Sequence, residues 1–245
     1  VRARQGGRRK PPARNRTCRL CGESSQLEYS HILPEFIYQA LYDSDHEFVE
    51  VATEGRYIKS ILDKGVREHL LCRSCENRFS KLEDHAARVH REIRRQLDIA
   101  SVADLVTVPA NYAKLKLFQL SLLWRAAVSE HPIFHAAQAK PFEKVLREML
   151  LAEIPGSIYA FPCIALAPAG RPSFQKTIAP GGLGAIRGHP VIWLTFLGVH
   201  WFFMLSEMLP PYEWLPDISV THLGFSVTVT DSTGDSEVER MAYEE

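Results

Sequence analysis

Two stretches decide how this chain is read: CRLCGESSQLEYSHILPEF, residues 18–36, and LLCRSCENRFSKLE, residues 70–83. Each carries a Cys-x-x-Cys pair, Cys18 with Cys21 and Cys72 with Cys75. Two such knuckles offer four thiolates, the number that closes a tetrahedral Zn²⁺ shell and leaves no position for water or substrate. A structural zinc is therefore the expected role. A redox Cys-x-x-Cys opens a helix within a thioredoxin-like βαβ pattern, and no such pattern precedes Cys18.

Working outward, Ser74 begins a change of period. Phe79, Leu82, Ala86, Val89, Ile93 and Leu97 recur at steps of three and four, which predicts one amphipathic helix to about residue 98. At about 100° per residue, Glu76, Ser80 and Glu83 share a stripe beside the apolar one. Neither acid has a Lys or Arg four residues away to pair with. Glu76 also sits in the first turn, where the helix dipole favours any carboxylate. Between the cysteine pairs, EFIYQALY after Pro34 reads as a short helix, and FVEVAT and RYIKSIL read as two extended runs.

The chain has 245 residues, 46% hydrophobic and 24% charged, which describes an ordinary globular protein and excludes wholesale disorder. No apolar run reaches the length of a membrane helix, and the start lacks a signal-peptide core, so a cytoplasmic address without membrane attachment is expected. Five cysteines, with Cys163 alone in an apolar run, fit a metal site in a reducing compartment. The zero net charge hides opposed ends. Residues 1–16 carry seven basic side chains and no acid, and residues 231–245 carry six acids against Arg240. The first sixteen residues are expected to form a flexible arm whose Arg8, Arg9, Lys10, Arg14 and Arg16 neutralise nucleic-acid phosphates, or a solvated tail without a target.

Composition divides the chain into this arm, a cysteine module at 17–100, an α+β region at 101–230 and an acidic tail at 231–245. Residues 110–130 are apolar on several sides and read as a buried helix, with a second helix after Pro141. Beyond Pro155-Gly156, runs such as IYAFPCIALAP, SFQKTI, VIWLTFL, HWFFML and GFSVTVT predict a mainly antiparallel sheet, with APGGLGAIRGHP as a separating loop. Those glycines lack the strand-loop-helix setting of a phosphate cradle, so no nucleotide cofactor is expected. Arg125 inside the buried helix needs a carboxylate or phosphate partner. Trp193, Trp201 and Trp214 read as sheet core, Cys163 as an inert buried thiol, and His85 and His90 as exposed helix residues. His69 reads as sharing the hairpin of the cysteine module.

The motifs CRLC, SHILP and LLCRSCE leading into a helix resemble the zinc-containing branch of the HNH endonucleases. The resemblance covers about residues 17–90. It implies a zinc-stabilised ββα module, two strands and a helix around one catalytic divalent ion, within an α+β chain that continues through a central helical segment into the sheet. His31, the four cysteines, Pro34 and the Leu71-Cys72 step match. Ser30 stands where the family has an Asp or His ligand, Arg67 or a neighbour where it has Asn, and Glu76 where it has His.

The resemblance implies a metal-dependent DNA endonuclease. His31 would be the general base, since a neutral imidazole accepts the proton of an attacking water. Glu76, with Glu83 beside it, would hold Mg²⁺ or Mn²⁺, hard ions that take carboxylate oxygen. The alternative is a catalytically inactive zinc-binding module for nucleic acid or protein, or a subunit of a larger bacterial complex. In it His31 is a structural imidazole, and the region 101–230, with Leu209-Pro210-Pro211-Tyr212 and Trp214, supplies a protein-binding surface.

Overall fold

The computed structural model describes residues 15–39, 47–50, 60–63, 65–131, 134, 139–169, 178–215 and 219–231. Arg8, Arg9, Lys10 and Arg14 of the basic arm, most of SFQKTI and nearly all of the acidic tail lie outside them. The chain is α+β, and its elements follow the change of hydrophobic period along the sequence.

Strand β1 (Asn15–Thr17) pairs antiparallel with β2 (Ser24–His31), which pairs antiparallel with β5 (Arg67–Cys72). Arg16, placed in the arm by composition, is thus the middle of a strand opposite Ser25. The helix after Pro34 is one turn, α1 (Glu35–Tyr38), shorter than its pattern suggested. Of the two extended runs between the cysteine pairs, the described residues form β3 (Glu47–Glu50) and β4 (Ser60–Asp63), paired with each other in a separate ribbon, and residues 51–59 of those runs lie outside the described residues.

Cys72 ends β5 and caps α2 (Arg73–Leu97) without an intervening loop. The helix spans about 37 Å at 1.5 Å per residue. Phe79, Ala86, Val89 and Ile93 are buried along it, as the period required, while Glu76 occupies the first turn and Arg94 and Arg95 the last, each complementing the helix dipole. His90 is buried as well, a correction to its reading as exposed: it lies four residues after Ala86 and three before Ile93, on the apolar stripe itself.

Helix α3 (Tyr112–Val128) starts with Asn111, whose Oδ1 accepts the Lys114 N–H at 2.9 Å, and is buried on almost every side. Helix α4 (Glu143–Ala152) follows a 3₁₀ turn at Lys140–Phe142. The C-terminal sheet has six strands in the order β6 (Leu105–Val108), β11 (Phe225–Thr230), β7 (Cys163–Pro168), β10 (Val199–Met204), β9 (His189–Phe196) and β8 (Ile178–Ile186). It is mixed, because β11 and β7 run parallel while the other pairs are antiparallel.

Two strands depart from the sequence expectation. The glycine cluster read as a loop lies in β8, where an irregularity between Pro180 and Leu183 absorbs Gly181 and Gly182 while pairing with β9 resumes on both sides. Strand β6 was not recognised, being four residues long, although its alternation of exposed and buried positions follows the two-residue period.

The core crosses the compositional boundary at residue 100. One cluster of buried side chains includes Leu20, Leu71 and Phe79 of the cysteine module, Leu122 and Trp124 of α3, and Trp201 and Phe225 of the sheet. Trp201 lies between Phe196 and Phe225, with ring centroids 4.9 and 5.3 Å away and nearly parallel planes. Trp193 and Trp214 pack against a smaller cluster around Ile164, Leu166 and Phe202. Cys163 is buried in β7, as read.

Candidate functional site

The cysteine knuckle is built by a turn at Cys18–Glu23. The N–H of Gly22 donates to the Cys18 carbonyl at 2.9 Å, and the N–H of Cys18 to the Glu23 carbonyl at 2.9 Å. Gly22 holds a positive φ of 83°, which a residue with a side chain rarely adopts. The turn is fixed to the rest of the chain by Arg147 of α4, whose Nε donates to the Leu20 carbonyl, and by the Arg19 N–H, which donates to the Leu70 carbonyl at 3.1 Å.

These contacts bring Cys18, Cys21, Cys72 and Cys75 together, with all four Sγ atoms within 4.8 Å of one another. Four sulfurs at about 2.3 Å from one ion stand about 3.8 Å apart on a tetrahedron. The Cys21 and Cys72 sulfurs are separated by 3.8 Å. The donor set, spacing and burial fit a structural zinc, and among the described residues no other group of three or more His, Cys, Asp or Glu side chains is placed to hold a metal.

Burial opposes ionisation of the Cys18 thiol, but hydrogen bonds from the backbone of Cys21, Cys72 and Leu20 outweigh it and bring the pKa down to about 7. Burial and the crowding of neighbouring thiols push Cys75 upward, and burial raises Cys21. A divalent cation at the centre would favour the thiolate state of all four sulfurs.

Next to the knuckle, at the first turns of α2, lies a polar cluster. Ser30 of β2 donates its hydroxyl to Glu76 Oε2 at 2.7 Å and is itself buried. Arg125 of α3, only 2% exposed, donates through one nitrogen to Glu83 Oε1 at 2.8 Å and to the His31 carbonyl at 3.1 Å. Its other nitrogens meet the Ser121 carbonyl and hydroxyl at 3.3 and 3.2 Å, and its guanidinium lies 5.2 Å over the Phe79 ring. The partner that an arginine in an apolar helix requires is therefore Glu83.

Glu76 is held above the usual carboxylate range by burial first, with further upward pushes from Glu83 and Glu28; the Ser30 hydrogen bond and the Arg125 charge pull the other way. The stripe read from helical geometry does bring Glu76 and Glu83 close enough to influence each other. It did not reveal Ser30 and Arg125, each of which engages one oxygen of one acid.

His31 occupies the other side of the hairpin. In the β2–β5 register Tyr29 faces His69, Ser30 faces Glu68 and His31 faces Arg67. Side chains alternate along a strand, so Ser30 and Glu68 project towards α2 and α3 while Tyr29, His31, Arg67 and His69 project to the opposite face. Glu68 accepts hydrogen bonds from the Ser129 hydroxyl and the N–H groups of Glu130 and His131, anchoring the end of α3. The His31 ring lies 6.2 Å from that of Tyr38 in α1. His31 and Glu76 thus flank the end of β2 from its two faces.

Comparison with family models, with curated proteins and with solved structures finds no match to this chain.

Proposed function

We propose that this protein is a metal-dependent endonuclease of the HNH-like kind, hydrolysing phosphodiester bonds of DNA at the C-terminal end of β2. The observation that carries this reading is the position of Glu76: an acid in the first turn of a helix that follows directly on a strand pair and a four-cysteine cluster, one residue after a zinc-type ligand. The resemblance supports this reading through the cysteine pairs and His31, while Glu76 stands where that family has His.

A phosphodiester lying across the strand end would meet the two faces differently. Towards α2 it finds Glu76 and Glu83, carboxylates of the type that hold Mg²⁺ or Mn²⁺; such an ion, when bound, stabilises the negative charge of the transition state. Towards the opposite face it finds the His31 imidazole, able to take a proton from an attacking water. Arg125 holds the His31 backbone carbonyl and one Glu83 oxygen with the same nitrogen, so one side chain ties the end of β2 to Glu83. DNA is the proposed substrate, and the basic side chains of residues 1–14 add sequence-independent affinity.

A specific observation favours a second reading, a zinc-anchored binding module without catalysis. Ser30 and Arg125 already engage Glu76 and Glu83, and the cysteine cluster is the one group of three or more metal-ligating side chains among the described residues.

Plasmid nicking by zinc-loaded protein separates the two. Nicking that needs Mg²⁺ or Mn²⁺ and is lost in Glu76→Gln, a change that keeps an acceptor for Ser30, supports the enzyme. DNA binding without nicking under any divalent ion, unchanged in Glu76→Gln, supports the binding module.

A further inference from the structure

Three exposed aliphatic side chains fall in one short stretch between α2 and β6: Ile99 at 87%, Val102 at 55% and Leu105 at 49% exposure. The backbone that presents them is held by turns. The Ala100 N–H donates to the Leu97 carbonyl at 3.4 Å, and the Asp104 N–H to the Ser101 carbonyl at 3.1 Å. Apolar side chains grouped on the surface in this way mark a contact surface, where a single exposed one would not. Cations flank the group on the last turns of α2. Arg88 and Arg91 are exposed and make no ion pair with any described acid, while Arg95 pairs with Glu92 at 3.2 Å. The acids at this end of the helix are Glu92, Asp98 and Asp104, and Asp104 is engaged by the Ser101 N–H at 2.7 Å.

Strand β11 delivers the chain to the same place. Thr228 lies opposite Leu105, the Ala103 N–H donates to the Val229 carbonyl at 2.8 Å, and the Val229 N–H donates to the Asp104 carbonyl at 2.9 Å. Asp231 therefore stands beside the exposed stretch. The sequence that follows complements it in both respects: residues 232–245 carry Asp235, Glu237, Glu239, Glu244 and Glu245 against Arg240, with Val238, Met241 and Tyr243 among them.

We propose that residues 232–245 dock onto this surface, Val238, Met241 and Tyr243 covering Ile99, Val102 and Leu105 while the acids meet Arg88, Arg91 and Arg95. Fully extended, the segment reaches about 45 Å. Arg88 lies about 14 Å back along α2 from Leu97, so the segment can pass the apolar stretch and still meet the arginines. Because the segment is tethered at Asp231, its effective concentration at the surface is high, and modest contacts hold it. A second copy of the chain or a separate acidic partner has to displace it first. The inference is independent of the nucleic-acid reading, and it gives the acidic end of the chain a place on the molecule.

Trypsin tests this, because residues 232–245 contain one cleavable bond, after Arg240. The initial rate at which residues 241–245 are released from the full zinc-loaded chain, read by mass spectrometry, is compared with their release from a synthetic peptide of residues 232–245. Cleavage follows the fraction of time the segment spends undocked, so the chain should be cut at least about tenfold more slowly than the peptide. Added salt should reduce the protection by screening the charges. The triple variant Ile99→Ser, Val102→Ser, Leu105→Ser and the double variant Arg88→Glu, Arg91→Glu should each be cut at a rate within about twofold of the peptide. All five positions are exposed, and melting temperatures matching the parent's exclude misfolding as the cause. Equal rates for parent chain and peptide overturn the proposal, as does protection that survives in both variants. Protection that disappears on dilution, with a sedimentation coefficient that falls in step, assigns the surface to a second copy and overturns it too.

Discussion

Arg125 Nη1 donates to Glu83 at 2.8 Å and to the carbonyl of His31 at 3.1 Å, so one buried nitrogen joins α3, α2 and the end of β2. Removing one member of a buried pair leaves the other charged and uncompensated, at a cost of about 3 kcal/mol or more. Arg125→Met and Glu83→Gln are each expected to destabilise the fold by that order. The double variant should lose less than the sum, because no isolated charge remains. Additive losses in urea titrations would mean that the two residues act independently.

Zinc should be present at one ion per chain in protein purified without chelator, and Cys72→Ser should remove it. Structural zinc contributes its binding free energy to folding. Because the buried cluster runs from Leu20 and Leu71 into the C-terminal sheet, the melting temperature of the entire chain should fall in Cys72→Ser. Elemental analysis giving no zinc, or a melting curve unchanged by the substitution, contradicts this.

Deleting residues 1–14 leaves β1 with its Arg16 in place and removes six basic side chains. Each lost phosphate contact reduces the slope of log K against log salt by about 0.9. The truncated chain should therefore bind duplex DNA more weakly at low salt and with a flatter salt dependence. The same slope in both chains would show that the arm touches no phosphate.

His90 is buried beside the Leu197 backbone, and burial, reinforced by the Arg94 charge, lowers its pKa to about 4 from the ordinary 6.5. Between those values the unfolded chain holds the proton and the folded chain does not. The contribution is complete above about pH 6.5 and is lost as pH falls towards 4, on the order of 3 kcal/mol. His90→Met should flatten this part of the stability profile. If parent and variant lose stability in parallel from pH 7 to 4, His90 is not the group responsible.

Lys116 of α3 is a second buried base whose pKa burial lowers. Its Nζ donates to the Phe161 carbonyl at 2.7 Å, and burial brings its pKa down to about 7, with Cys163 pulling weakly the other way. The unfolded chain keeps the proton up to about pH 10.5, so stability should rise with pH from about 7 to 10. Lys116→Met should be more stable than the parent at pH 6 and show less of that rise. A parent profile that is flat above pH 7 would count against a neutral buried amine.

The parts of this structure legible in the sequence are those written in local spacing. Cys18, Cys21, Cys72 and Cys75 announce a four-sulfur cluster by their pairing, and the three-and-four recurrence from Phe79 to Leu97 sets the buried face of α2. His90 lies on the same stripe, but its residue type led to its being read as exposed. Strand β8 was hidden because paired backbone can carry glycine through an irregularity, and β6 because four residues give the two-residue period little room. The polar cluster was half visible. An arginine in an apolar helix demands a partner, but which acid meets it depends on how α2 and α3 pack. Ser30 looked like a lost ligand, and its hydroxyl instead holds Glu76.

Cys21 and Cys72 are 51 positions apart along the chain, and their sulfurs meet only when β2 and β5 are paired and the knuckle turn is docked against Leu70 and Arg147. Ion affinity and fold are then reciprocal quantities: whatever weakens the pairing loosens the ion to the same extent, and the ion strengthens the pairing in return. Arg147→Ala touches no sulfur, yet it should release zinc at a lower chelator concentration than the parent does. A graded chelator series thereby becomes a gauge of how well strands, knuckle and α4 hold together, readable without unfolding the protein.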